Sequence, residues 1–174
     1  PRQVIVVDNA SHDGSADQAE RAYPGLCVIR CPDNHGFAGA NNRPVAQSAA
    51  TEWLVLLNPD AFPAPDWLAA LRQATQDQPR YALFGCRLLD AANPERLDGV
   101  GDGYHASGLA WRRGHGEVAA GRHMQGAEIF APCAAAALYR RTAFLEAGGF
   151  DERFFCYMED VDLGFRLRLL GYRC

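Results

Sequence analysis

Lysine is absent from this chain of 174 residues, and all 17 basic residues are arginine. That absence excludes Schiff-base catalysis and a P-loop lysine reaching toward phosphates. An anion must then be held by arginine, by backbone N–H groups or by a metal. No apolar stretch nears the ~20 residues that span a bilayer, and the opening PRQVIVVD carries no leader pattern. Cytoplasmic residence is the expectation, with any membrane association peripheral, at the inner face. The net charge is −4 and no basic run exceeds the pairs Arg112-Arg113 and Arg140-Arg141, which excludes bulk capture of nucleic acid. Six cysteines are scattered, mostly in apolar surroundings; Cys27 and Cys31 are four apart, but no second Cys or His pair stands at zinc-finger spacing. They read as small buried hydrophobes.

What is there is an ordinary globular composition, 48% hydrophobic and 22% charged, of a length that fits one domain over residues 1–174. Gln3–Val7 (QVIVV) is a short β-branched run that stops at Asp8 and reads as a buried parallel strand. Turn formers follow, with Asp13 or Ser15 placed to cap a helix over 16–22. The pattern then predicts a strand at 27–30, a polar loop to Gly39 and a helix over 41–50 with Pro44 in its first turn. A strand at 52–57 ends in Asn58-Pro59-Asp60, and a helix over 65–76 turns Trp67, Leu68 and Leu71 to one face. A strand-like run occupies 81–89. This β-α-β-α-β-α-β order implies an α/β, Rossmann-like, mostly parallel sheet with helices on both faces. Residues 90–126 hold eight glycines and three histidines without periodicity, the mark of a long irregular excursion. A strand over 127–139, a helix over 142–147 and a helix over 160–170 complete the chain.

In an open parallel sheet, ligands bind beyond the carboxyl ends of the strands. Asp8 and Asp60 both stand at such ends, which favours a site, although a strand-end Asp also serves as a plain turn or cap residue. Glu159, Asp160 and Asp162 crowd the start of the last helix. One acid there complements the helix dipole; three repel, and a raised carboxyl pKa suited to a general base is expected among them. His105, His115 and His123 read as solvated loop residues. Arg112, Arg113 and Arg122 are either surface charges or a diphosphate clamp. Trp53 and Trp67 read as core, and Trp111 with Tyr104 as a platform for a sugar face.

The pieces VIVVDNASHDGS (4–15), DNHGFAGANN (33–42), WLVLLNPDA (53–61) and GGFDERFFCYMEDVDLGFRLRLLGYR (148–173) carry a family resemblance, in order and spacing, across nearly the whole chain. The chain resembles the family 2 glycosyltransferases of GT-A fold, in their rhamnosyltransferase-like branch. The resemblance implies nucleotide contacts at Asp8, Asn9, Ser11, Asp13, Asn34, Gly36 and Asn42. It also implies a divalent metal, Mg²⁺ or Mn²⁺, at Asp60, and an acidic pair Glu159-Asp160 with Asp160 as catalytic base. Trp111 and Asp162 are acceptor-side candidates. Residues 1–89 become a nucleotide-sugar and metal half, and 90–174 an acceptor and base half. The implied reaction moves a sugar, rhamnose for this branch, from a dTDP- or UDP-linked donor to a cell-surface glycan or lipid-linked acceptor, with inversion.

The chain also departs from the family's pattern. Asn58 stands where the metal motif has its first Asp, and Ala134–Ala137 replaces an acceptor-side glycine. The family's first strand and its C-terminal continuation have no counterpart here, so the expectation is a piece cut at both ends. A nucleotide-sugar-binding fragment without catalysis is the alternative. A sugar-phosphate nucleotidylyltransferase is disfavoured by the missing lysine.

Overall fold

A computed structural model describes residues 1, 3–48 and 50–174. The chain forms two compact units, residues 1–51 with 149–159, and residues 52–148 with 160–174.

In the first unit, β1 (Ile5–Asp8) and β2 (Cys27–Arg30) pair in parallel with Asp8 opposite Arg30. Between them lies α1 (Ser15–Ala22), whose N-cap is Gly14 at φ 75°; the Asp13 carboxylate accepts the Ser15 N–H at 2.9 Å instead of capping from the N-cap position. The next helix, α2, spans Gly36–Gln47, so it begins in the stretch that the sequence suggests is loop, and Pro44 lies inside it rather than in its first turn. The physical reason is tertiary. A helix start leaves N–H groups orphaned, and here Asn34 Oδ1 accepts from Gly36 while the Phe155 carbonyl accepts from Phe37 at 2.6 Å and Ala38 at 3.4 Å. Gly36 must be glycine for this: its φ is 67°, and an added Cβ would sit 2.2 Å from the Phe155 carbonyl oxygen. Ala49, inside the predicted span of this helix, lies outside the described residues. A short 3₁₀ helix at Glu152–Phe154 follows in the second part of the unit.

In the second unit, β3 (Trp53–Leu57) leads through α3 (Trp67–Asp77) to β4 (Leu83–Gly85). Leu71 is buried on α3 but Leu68 is 40% exposed, because the i, i+4 partner of Trp67 is Leu71 and Leu68 points a third of a turn away. The run 81–89 divides into β4 and β5 (Leu88–Leu89). The 90–126 excursion is more ordered than its sequence suggests: β6 (Leu97–Gly99) pairs with β5, and β7 (Asp102–Tyr104) pairs with β8 (Ala110–Arg112), both antiparallel. Strands of three residues are too short to show a period. The last strand, β9, is Ala136–Arg140, shorter than the predicted 127–139, and it runs antiparallel between β3 and β4. Two helices follow, α4 (Arg141–Glu146) and α5 (Glu159–Leu169).

Ala136, Ala137, Leu138 and Tyr139 of β9 are all buried, as a strand flanked on both sides requires. Leu163 and Leu167 of α5 are completely buried, and Gly164 lets this helix approach Ala131 so closely that an added Cβ would meet the Ala131 Cβ at 2.5 Å. No helix among the described residues is long and apolar enough to cross a membrane.

Candidate functional site

The first unit holds the nucleotide-loop candidates. Asp8 ends β1, and its Oδ1 accepts the Ser11 N–H at 2.9 Å; that bond, with the Ser11 hydroxyl, holds the exposed carboxyl below its ordinary range. Asp13 is lowered in the same way by Ser15. Asn9 is the organiser. Its Nδ2 donates to Asn34 Oδ1 at 2.8 Å and to the Gly36 carbonyl at 3.1 Å, and its Oδ1 accepts the His35 N–H at 2.9 Å. The turn after β1 is thereby locked to the entry of α2. Asp8, Asn9, Ser11, Asn34 and Gly36 are thus one connected set. Asn42 sits two turns along α2, with Nδ2 donating to the Phe150 carbonyl at 2.8 Å and to Glu152 Oε1 at 3.1 Å, while its Oδ1 accepts the Phe150 N–H at 2.9 Å. Its amide braces the 150–152 segment. Glu159, the first residue of α5, is buried at 5% exposure.

The second unit holds the metal and base candidates, and the structure brings them onto adjacent backbone. Asn58 N–H donates to the Ala135 carbonyl at 2.8 Å, and Ala61 N–H to the Asn58 carbonyl at 3.1 Å, which fixes the Asn58-Pro59-Asp60 turn. Ala134 N–H donates to Asp160 Oδ2 at 3.1 Å, and Val161 N–H to Asp160 Oδ1 at 2.8 Å. Residues 134 and 135 therefore brace Asp160 and the Asp60 turn from consecutive positions. The alanine run that stands in place of a glycine has a structural use: small side chains before β9 let backbone, rather than side chain, do the bracing.

Asp60 is exposed, and among the described residues no donor engages its carboxylate. No group of three or more candidate metal ligands exists among the described residues. An exposed carboxylate that no donor engages is open to a hard cation whose other ligands are substrate oxygens and water.

Asp162 forms an i, i+4 ion pair with Arg166 at 2.7 Å, and Arg166 also donates to the Ala147 carbonyl. Trp111 is 49% exposed and lies against Gly103, where an added Cβ would meet its ring at 2.4 Å. Tyr104 does not join it. That ring stacks on Phe130 at 4.6 Å and meets Phe165 at 5.4 Å, so the expected pairing of Tyr104 with Trp111 is not formed. The loop cations are engaged as well: Arg112 with Asp98 at 2.7 Å, Arg113 with the Glu128 carbonyl at 3.1 Å, and Arg122 with Glu117 at 2.8 Å.

Asp102 carries no motif that marks it in the sequence. It is 8% exposed, and among the described residues nothing donates to its carboxyl. Burial, and then the nearby Asp160, push its pKa up to about 7, with Arg112 opposing. This raised carboxyl lies outside the 159–162 cluster where one was expected, on a three-residue strand flanked by glycines. Only burial, which short glycine-rich strands do not advertise, could have singled it out.

Three comparisons bear on this arrangement. The family described as Glycosyl transferase family 2 matches residues 1–148. An N-acetylglucosaminyl-diphospho-decaprenol L-rhamnosyltransferase of Mycobacterium tuberculosis is 32% identical over 198 residues, covering 99% of this chain and 62% of that protein. The O-antigen biosynthesis protein RfbC of Myxococcus xanthus is 33% identical over 179 residues, covering 98% of this chain and 14% of its own length. The chain therefore spans less than two thirds of the curated relatives it matches. Among solved structures, the mannosyltransferase PcManGT of Pyrobaculum calidifontis, in complex with GDP-Man and Mn²⁺, superposes with a TM-score of 0.66 at 21% identity, covering 99% of this chain and 45% of that one. GalNAc-T7 with UDP, GalNAc and Mn²⁺ gives 0.70 at 14%, covering 99% and 36%. These likenesses establish the GT-A fold.

Proposed function

Since the chain belongs to glycosyltransferase family 2, we propose that it is the donor-binding and catalytic part of an inverting, metal-assisted glycosyltransferase. The donor is a nucleoside-diphosphate sugar, and the kinship with an L-rhamnosyltransferase favours a rhamnosyl donor on dTDP or UDP and a lipid-diphosphate-linked or cell-surface glycan acceptor. The observation that carries the reading is the pair of hydrogen bonds at consecutive residues: Ala134 to Asp160, and Asn58 to Ala135 beside Asp60.

The roles follow from each group's surroundings. In the first unit, Asp8, Asn9, Ser11, Asp13, Asn34 and Gly36 form or border the loop assigned to the nucleotide, while Asn42 on α2 braces the 150–152 segment. Asp60 is the ligand for Mg²⁺ or Mn²⁺, which when bound neutralises charge at the leaving diphosphate, a need sharpened by the lack of lysine. Asp160 is the base. Its half-buried carboxylate is fixed at a helix N-terminus by two backbone N–H groups, which leaves each oxygen a further lone pair for the acceptor hydroxyl proton. Glu159 is buried and supports the helix start. Trp111 offers an exposed ring face to a sugar, and Asp162 orients the helix through Arg166.

Asp160→Asn preserves the shape and removes the base. Transfer from UDP- and dTDP-linked sugars to a lipid-linked acceptor, followed by product chromatography, should fall about 10²–10⁴-fold while donor binding stays. Undiminished turnover would place the base elsewhere, and donor binding without any transfer by the unmodified chain would favour an inert binding module.

A further inference from the structure

Asp102 has no role in the donor, metal or base assignments, yet it is only 8% exposed and its backbone is tied to the strip around the base. Its backbone is clamped to the strip that also holds Asp160. Asp102 N–H donates to the Ala131 carbonyl at 2.8 Å, and Phe130 N–H to the Asp102 carbonyl at 3.0 Å. Three residues on, Ala134 N–H holds Asp160 Oδ2 at 3.1 Å. From the other side, α5 rests on the same strip at Gly164, against Ala131. Direction along β7 settles where the side chain faces. Residues 102 and 104 share one face of the strand, and the Tyr104 ring touches Phe165 of α5 at 5.4 Å. Asp102 therefore turns toward α5, the helix whose first turn carries Asp160.

We infer that Asp102 is a positioning residue for Asp160, a buried carboxyl set beside the base on the same strip of backbone, so that its charge state acts on Asp160. This rests on the assignment of Asp160 as the base. The division of labour follows from the surroundings. Asp160 is half-buried, accepts two backbone N–H bonds and stands at a helix N-terminus. Asp102 is buried without a donor and keeps the proton. The other groups facing Asp102 do not reverse this. Arg112 on β8 is paired with Asp98 at 2.7 Å. Cys133, Tyr139 on β9 and Cys174 are pushed upward by burial, which keeps them neutral. The consequence for transfer is a base whose proton affinity depends on its neighbour. Ionising Asp102 places a second negative charge beside Asp160 and makes Asp160 a stronger base.

The test is a ¹³C NMR titration of the aspartate side-chain carboxyls between pH 4 and 9, in the full chain, in Asp160→Asn and in Asp162→Asn. The Asp102 carboxyl should titrate near neutral pH in the unmodified chain. Asp160→Asn should move that midpoint down by about one pH unit or more, and Asp162→Asn, already paired with Arg166, should leave it in place. An Asp102 midpoint in the ordinary carboxylate range, or one indifferent to Asp160→Asn, overturns the pairing. Where transfer is measured, kcat should show a step near neutral pH that Asp102→Asn removes, with KM for the donor little changed. No transfer by the unmodified chain would count against the transferase reading, while the titration alone would still decide the pair.

Discussion

Asp102 and Asp8 are both acids at the margin of a strand, yet burial and hydrogen bonding drive them in opposite directions. Asp8 accepts from Ser11 and is lowered; Asp102 has no donor and is raised to about 7. The raised group has a thermodynamic signature. Between its unfolded value, near 3.8, and about 7, the folded chain binds a proton that the unfolded chain has lost. Stability therefore falls as pH rises through that window and levels off above it, by at most about 1.4 kcal/mol per pH unit from this one group. Asp102→Asn should flatten the profile, gaining stability relative to the unmodified chain at pH 8 and little at pH 4, as urea unfolding at the two pH values would report. Equal effects at both would mean that Asp102 ionises normally in the fold. The sequence pointed to Asp8, Asp60 and Asp160 because each follows or opens an element that its own apolar pattern reveals. Asp102 was hidden because its burial is made by residues 130, 131 and 160, none of them near it in the chain.

Elements behaved according to how much of their stability was local. The strand 27–30 was readable to the residue, and α1, α3 and α5 to within about two residues, because apolar spacing and turn formers mark them. The start of α2 was not readable, since the acceptors for its first N–H groups come from Asn34 and from Phe155, far along the chain. Gly36→Ala tests that arrangement. A left-handed backbone costs a non-glycine residue about 1–2 kcal/mol, and the new methyl would lie 2.2 Å from the Phe155 oxygen, so the segment must also shift. A loss of at least about 2 kcal/mol in denaturant unfolding is expected; a smaller one would mean that the 154–158 loop is not docked on α2. On α5, Leu167 is fully buried, and Leu167→Ala should cost about 2–5 kcal/mol. Asp162→Asn breaks only a partly exposed ion pair and should cost under about 1 kcal/mol in the same experiment.

At the scale of the molecule, the expected α/β alternation stands, with one strand entering from elsewhere. β3 and β4 run parallel to each other, as a β-α-β connection predicts, while β9 slots between them antiparallel after the long excursion. Sequence periodicity reports neighbours along the chain and is silent about such an insertion. Charge is the other molecular property with consequences. On the proposed reading, a chain of net charge −4 without lysine holds a diphosphate while most of its loop arginines are engaged with carboxylates or carbonyls. The charge at the leaving diphosphate then falls to a cation at Asp60. The most direct measurement is calorimetric titration of UDP and dTDP into the chain and into Asp60→Ala, with and without Mn²⁺. Nucleotide binding should require the metal and be lost in Asp60→Ala. Binding that is indifferent to Mn²⁺, or that survives Asp60→Ala unchanged, would contradict a cation at Asp60.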